Sequence, residues 1–161
     1  MSPPVRNHWL FKTDPESFSF ADLVAEPRGT TAWDGVRNYQ ARNSLRDDAA
    51  AGARVLIYHS SSTSPAVVGL AEIVRAAYPD ATAFDPGHEH FDPKSKPAAP
   101  TWVMVDVRAL EAFSTPVSLA ALKANPKLAS MAVVQRGQRL SIQPVRPAEW
   151  AEVLRMAGQK L

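Results

Sequence analysis

The sequence contains no cysteine, which excludes a disulfide framework, a thiol nucleophile, an iron–sulfur cluster and a thiolate zinc site. It also lacks any run of about 18 apolar residues, so nothing in it predicts a membrane-spanning helix. Residues 1–6 carry no apolar stretch of the kind that a secretory signal needs. We therefore expect a soluble intracellular domain without membrane association, located in the cytoplasm, or in the nucleus if the host is eukaryotic.

The chain is nearly neutral, but its basic residues are unevenly distributed. Lysine and arginine number 18 against 16 aspartates and glutamates, which leaves a net charge of +2. This charge is too small for strong non-specific attraction to a polyanion. Residues 112–148 nevertheless hold several basic residues and no acidic one. Either a solvated surface or a patch that faces phosphate groups accounts for this distribution.

Length and composition are those of one globular domain. The chain has 161 residues, of which 45% are hydrophobic and 21% charged. A chain of this length can bury about 70% of its unfolded surface without a metal or disulfide. We predict a flexible N-terminus over residues 1–7, a single domain over 8–157, a short tail over 158–161, and a monomer.

Hydrophobic patterning predicts five or six strands and three or four short helices. Strands are expected within residues 8–12, 54–58, 67–74 and 102–113, and a hairpin is expected to join 133–134 to 140–142 through a turn at Arg136 and Gly137. Helices are expected after Ser19, over residues 39–48 and 118–123, and from Pro147 onward. Strands and helices do not alternate regularly. The pattern therefore favours an α+β fold, most simply a small mixed β-barrel flanked by short helices.

Residues 78–100 form a proline-rich segment that we expect to be a long ordered loop. Loops of this length inside a compact domain are usually functional or disordered. The segment holds the only metal-like cluster of the sequence, in which His88, Glu89 and His90 lie between Asp85 and Asp92. Because this spacing is unspecific, a hydrogen-bonded loop is favoured over a metal site. We predict no metal, no cofactor and no catalytic residue, and the roles of the two histidines stay open.

Chemically diverse side chains are concentrated in residues 33–39. Trp33 offers an aromatic plate, Asp34 a carboxylate and Asn38 an amide, directly before a predicted helix. Such a segment could stack on a planar group and hydrogen-bond to its edge. The alternative is a structural turn in which Trp33 fills the core and Asn38 caps the helix. Nucleotide-binding glycine motifs and the GxSxG elbow of serine hydrolases are absent.

Eight short segments, in their order and spacing, resemble the EVE domain family. They are WLFK at 9–12, WDGVRNYQARN at 33–43, YHS at 58–60, VGLAE at 68–72, YPD at 78–80, FDP at 84–86, FDPKS at 91–95 and RLSIQPV at 139–145. The resemblance runs from Trp9 to Leu154, and the eleven-residue segment beginning at Trp33 is its most specific part. It implies a PUA-like fold and a module that reads modified bases, such as 5-methylcytosine or 5-hydroxymethylcytosine, without catalysis.

On this basis we expect one modified base of DNA or RNA to be flipped into a pocket at the barrel mouth. The candidate ligand-binding residues are Trp33, Asp34, Gly35, Val36, Asn38, Tyr39, Tyr58, His59, Ser60, Ser61 and Tyr78. The candidate contacts to the nucleic-acid backbone are Lys12, Arg37, Arg42, Arg136 and Arg139. Two other interpretations stay open: a protein or enzyme that takes a small molecule or free nucleoside in the same pocket, and a scaffold whose pocket stays empty.

Overall fold

The computed structural model describes residues 6–159. Its strands are β1 (Arg6–Thr13), β2 (Thr30–Ala32), β3 (Ala49–His59), β4 (Ala66–Pro79), β5 (Val103–Ser118) and β6 (Ile142–Pro144). Its helices are α1 (Phe20–Ala25), α2 (Tyr39–Asp47), α3 (Leu119–Ala124) and α4 (Pro147–Met156). Of the predicted flexible segment 1–7 and tail 158–161, residues 1–5 and 160–161 lie outside the described residues, and residues 6–7 belong to β1. No helix within 6–159 is long and apolar enough to cross a membrane.

The six strands form one mixed sheet in the order β2-β5-β4-β3-β1-β6. The neighbouring strands are antiparallel except β1 and β3, which are parallel. The α+β class and the number of strands are therefore confirmed. The edge strands β2 and β6 do not pair with each other in the described part of the chain, so the sheet is not closed by hydrogen bonds into a full barrel.

Parallel neighbours cannot be joined by a tight hairpin, and β1 is connected to β3 by a crossover of residues 14–48. This crossover contains α1, β2 and α2. It therefore carries residues 33–39, the chemically richest segment of the sequence, across the sheet.

Side chains along the central strands point alternately to the two faces of the sheet, and each face contributes to a different hydrophobic core. Trp9 and Phe11 of β1 join one core with residues of the crossover helices, whereas Leu10 joins the other. The second core lies against the C-terminal helix, where Trp150 and Val153 pack. Each face of the sheet is thus covered by helices, and polar groups are left to line its margins.

Local capping signals locate the helix starts as predicted. The Ser19 hydroxyl accepts from the Asp22 amide while the Asp22 carboxylate accepts from the Ser19 amide, a capping box that begins α1. The Asn38 side chain accepts from the Ala41 amide and begins α2. Pro147 occupies the first turn of α4.

The hairpin predicted between residues 133–134 and 140–142 is wrong. Residues Ala132–Val134 form a 3-10 turn, and Ile142 pairs antiparallel with Phe11 of β1. The turn signal at Gly137 does not lead to a hairpin because β6 pairs with the free edge of β1 instead. This pairing satisfies amides and carbonyls of β1 that would otherwise be unpaired. The pattern also missed β2, a strand of three residues that pairs with β5.

Candidate functional site

A cleft of about 490 Å³ opens beside the crossover and has the size of a small-ligand site. Three distant segments build it. It is lined by Lys12, Thr13, Asp14, Ser17, Phe18, Thr31, Ala32, Trp33, Asp34, His88, Glu89 and His90. The end of β1 and the turn after it supply one wall, the end of β2 a second, and the loop between β4 and β5 a third.

Aromatic rings form the apolar wall of the cleft. Trp33 is 8% exposed and belongs to the core. Its ring lies 5.6 Å from that of Phe11 and 6.2 Å from that of Phe18, which meets it edge-on. Phe18 is only partly buried. Packing thus holds Trp33 rigidly, while Phe18 offers the more accessible ring.

Asp34 supplies a carboxylate next to this aromatic wall. Its oxygen Oδ1 lies 3.7 Å from His90 Nδ1, and within residues 6–159 the carboxylate makes no hydrogen bond. The next residue, Gly35, has φ +78, and a Cβ there would come within 2.4 Å of the His90 ring. Glycine is therefore required for His90 to approach the backbone beside Asp34.

Asp34, His88 and His90 are the one group in the described range whose ligand atoms come close enough to hold a metal, all within 4.8 Å of one another. The His90 amide, however, donates to His88 Nδ1 at 3.0 Å. In neutral His88 the proton is then on Nε2, which makes this nitrogen a donor and removes the lone pair that a metal would need. The donor set therefore fits a hydrogen-bonding ligand better than a metal ion.

Arg37 and Asp80 fix the loop that carries these histidines. The buried Asp80 carboxylate accepts from the Gly35 amide at 2.9 Å and from Arg37 at 3.0 Å. Arg37 also donates to the His90 carbonyl at 2.7 Å. Burial alone would raise the pKa of Asp80, but hydrogen bonds from Thr82, Gly35 and Arg37 together hold it below its usual value. The predicted phosphate contact Arg37 thus has its donors engaged within the fold.

The rim of the cleft is basic where β1 approaches the segment before β6. The Lys12 ammonium donates to the Gln138 carbonyl at 3.3 Å, and burial lowers the pKa of Lys12. Arg136 and Arg139 flank Gln138 and are exposed. Neither guanidinium makes a hydrogen bond or ion pair among the residues described. This rim therefore presents two unneutralised charges beside the cleft.

Only Lys12, Trp33 and Asp34 of the predicted residues line the cleft. Val36 is in the core, Gly35 and Arg37 stand behind the loop wall, and Asn38 caps α2. Tyr39 is exposed, and the Arg42 guanidinium donates to the Thr101 carbonyl.

The predicted residues at the end of β3 are engaged in the fold. Tyr58 is buried in the second core, and the His59 Nε2 accepts from the Phe20 amide at the start of α1. The Ser60 amide donates to the Thr13 carbonyl, and Ser61 is exposed with a positive φ. Tyr78 donates to Asp106 on the neighbouring strand, and burial followed by that carboxylate raises the pKa of Tyr78 to about 12.

Sequence reasoning missed most of the remaining cleft residues. Phe18 and Asp14 lie in the turn after β1, for which the sequence indicates only the end of a strand. The sequence indicates His88 and His90 as a cluster but does not connect them to residues 33–34, because no local pattern reports a contact across more than 50 residues. The length of the loop was the one usable signal.

Known proteins match this chain along most of its length. An EVE domain profile matches residues 7–156. Human thymocyte nuclear protein 1 is 43% identical over 165 residues, covering 92% of this chain and 72% of the relative. A crystal structure of human THYN1 protein in complex with 5-methylcytosine containing DNA is 42% identical, with a TM-score of 0.88 over 96% of this chain and 99% of that chain.

A bacterial structure matches equally well. The crystal structure of a protein from Pseudomonas syringae is 40% identical and covers 93% of this chain and 99% of that chain, with a TM-score of 0.88. The fold and the motifs around Trp33 therefore agree with the profile match. The chain belongs to the EVE domain family.

Proposed function

We propose that this chain is a nucleic-acid-binding module that reads one modified base, flipped into the cleft, without catalysis. The observation that carries the proposal is the cleft itself, in which the Trp33 and Phe18 wall meets the Asp34 carboxylate, which lies 3.7 Å from His90 Nδ1 and makes no hydrogen bond within residues 6–159. The related human protein in complex with 5-methylcytosine containing DNA supports this assignment and favours a modified cytosine. The human relative is called thymocyte nuclear protein 1, and this name supports a nuclear location if the host is eukaryotic.

The pairing edge of cytosine offers one donor and two acceptors, so its recognition needs one protein acceptor and at least one protein donor. The exocyclic amine of cytosine donates a hydrogen bond that an aspartate carboxylate can accept. Asp34 lines the cleft and is placed for this role. The ring nitrogen and carbonyl of the base are acceptors, and the Nε2–H of His88 can donate to one of them. The base would then stack on the partly exposed Phe18 ring, beside the rigid Trp33.

Electrostatics separate the base from its phosphates. Asp14, Asp34 and Glu89 make the cleft acidic, so a phosphate group is disfavoured inside it. Phosphate contacts are offered by Lys12 at the edge of the cleft and by Arg136 and Arg139 just outside it. Burying one extra methyl group contributes about 0.8 kcal/mol, roughly a fourfold gain in affinity. Stronger discrimination requires that the unmodified base leave a dry void or an unpaired polar group.

Asp34→Asn is expected to weaken binding of the preferred oligonucleotide by about 10- to 100-fold, because it removes one charge-assisted hydrogen bond. The measurement is a fluorescence anisotropy titration of single- and double-stranded oligonucleotides carrying cytosine, 5-methylcytosine, 5-hydroxymethylcytosine, adenine or N6-methyladenine. We expect single strands to bind better, since extruding a base from a duplex costs a few kcal/mol.

The matched control is Asp48→Asn at the exposed C-terminal end of α2, which is expected to bind like the unchanged protein. Equal binding of every base would contradict the proposal. So would a free modified nucleoside that binds as tightly as the oligonucleotide, or a new product detected by mass spectrometry, since either result favours the small-molecule or enzyme interpretation.

The double variant Arg136→Gln with Arg139→Gln is expected to flatten the salt dependence of binding. Removing one cation that neutralises a phosphate of a single strand reduces the slope of log K against log salt by about 0.7. Titrations at four salt concentrations measure that slope, and Lys123→Gln on the exposed end of α3 is the control. A slope that stays unchanged in the double variant would remove these arginines from the interface.

A further inference from the structure

Tyr39, the first residue of α2, is a large aromatic side chain left 62% exposed. Its ring lies 5.0 Å from the ring of Trp102, tilted by 34°. The Arg42 guanidinium lies over the Tyr39 ring, 5.0 Å from its centre. The exposed Tyr39 ring, the buried Trp102 ring behind it and the Arg42 guanidinium form a partly open surface, which we name the Tyr39 platform.

The Tyr39 platform places one cation, the Arg42 guanidinium, beside the exposed Tyr39 ring, while the Trp102 Nε1–H donates to the Asp92 carboxylate at 2.7 Å. Arg42 donates to the Thr101 carbonyl and to the Asn43 side chain, both of which are neutral, and forms no ion pair with a carboxylate in the described range. No acidic residue occurs in the first turn of α2, and the helix start adds partial positive charge. The Tyr39 ring and the Arg42 guanidinium are thus complementary to a partner that is both planar and anionic, as a nucleic-acid strand is.

The platform lies immediately behind the histidine wall of the cleft. Arg37 donates to the carbonyl of His90, which lines the cleft, and its guanidinium lies 5.5 Å from the Trp102 ring of the platform. Along the chain, the five-residue step from Asp34 to Tyr39 can span at most about 18 Å. One strand can therefore reach the cleft and the platform together.

We propose that the Tyr39 platform stacks an unpaired base of the same DNA strand whose modified base occupies the cleft. The inference rests on the proposed function and adds a second binding position to it. A flanking base that is held this way contributes affinity without reading sequence, because every base presents a flat π-face. Selectivity for the modified base stays with the cleft.

Tyr39→Ala is expected to weaken binding of a single-stranded oligonucleotide that carries one 5-methylcytosine by about five- to 100-fold, the range expected for removal of one base stack. The preference for 5-methylcytosine over cytosine is expected to stay unchanged. Tyr39→Phe keeps the ring and is expected to bind like the unchanged protein. Arg42→Gln should share part of the loss, whereas Arg46→Gln, one turn further along α2, should not.

Abasic substitutions locate the stacked base. Each nucleotide flanking the 5-methylcytosine is replaced in turn by an abasic site. The affinities of Tyr39→Ala and of the unchanged protein are then compared on each oligonucleotide. At one position the effect of Tyr39→Ala should vanish, since the base that stacks on the ring is already missing. Undiminished affinity of Tyr39→Ala, or an equal loss on every abasic strand, overturns the platform but leaves the base reader standing. A lack of 5-methylcytosine preference in the unchanged protein overturns the proposed function instead.

Discussion

Asp80→Asn is expected to lower the free energy of unfolding by about 3 kcal/mol, because it breaks a buried ion pair. The side chain of Asp80 is fully buried, whereas that of Arg37 is 23% exposed, which places the loss at the lower end for such pairs. Asp80 Oδ2 accepts from the Gly35 amide and Arg37, and Oδ1 accepts from the Thr82 amide, so the NH2 group of an asparagine would face donors at either position. Urea unfolding followed by tryptophan fluorescence measures the difference.

The stability difference between Asp80→Asn and the unchanged protein is expected to depend on pH. Hydrogen bonds outweigh burial and hold the pKa of Asp80 below its usual value of 3.8. A group with a lowered pKa stabilises the folded state fully above its unfolded pKa and loses that contribution as the pH falls through its folded pKa. The two proteins should therefore differ most near pH 7 and converge below pH 3.8.

Asp85→Asn in the same loop is the control for this substitution. Asp85 is exposed, and its carboxylate accepts only from the Gly87 amide. We expect a loss below about 1 kcal/mol for this variant. If Asp80→Asn and Asp85→Asn unfolded at the same urea concentration, the Arg37–Asp80 pair would not be what holds the loop.

Gly35→Ala is expected to reduce oligonucleotide binding by more than tenfold while costing about 1–2 kcal/mol of stability. The stability loss comes from the positive φ of +78, which an alanine side chain disfavours. The binding loss comes from the new Cβ, which would lie 2.4 Å from the His90 ring and force it away from Asp34. Thermal unfolding and anisotropy titrations separate the two effects.

Gly52→Ala supplies the matched control for Gly35→Ala. Gly52 has φ +92, yet a Cβ there would meet nothing within 4 Å. It should therefore show a comparable loss of stability with unchanged binding. Parallel losses of binding in the two variants would mean that backbone strain, rather than displacement of His90, controls the cleft.

Elements set by local chemistry were predictable from the sequence. Ser19 and Asn38 cap α1 and α2 as predicted because a cap depends only on residues within one turn. The central strands were found because their apolar runs suit two buried faces. The pairing of β6 with β1 was not predictable, since it joins segments more than 130 residues apart.

The cleft was predictable only in part for the same reason. The sequence predicts Trp33 and Asp34 as site residues but does not place the two histidines opposite them. The loop that carries these histidines is held in position by the Arg37–Asp80 pair. His59 was expected to bind ligand because it ends a strand among polar residues. Its Nε2 instead accepts the Phe20 amide, and burial lowers its pKa, which favours the neutral acceptor.

The long sequence separation between β1 and β6 bears on how the protein is made. β1 carries the buried residues Trp9, Leu10 and Phe11, and one of its edges is covered only when Ile142–Pro144 pairs with it. A nascent chain on the ribosome synthesises β1 more than 120 residues before β6. Until then β1 offers an apolar strand edge to other chains, the situation in which aggregation begins. Truncation before residue 142 should therefore yield insoluble protein rather than a smaller folded domain.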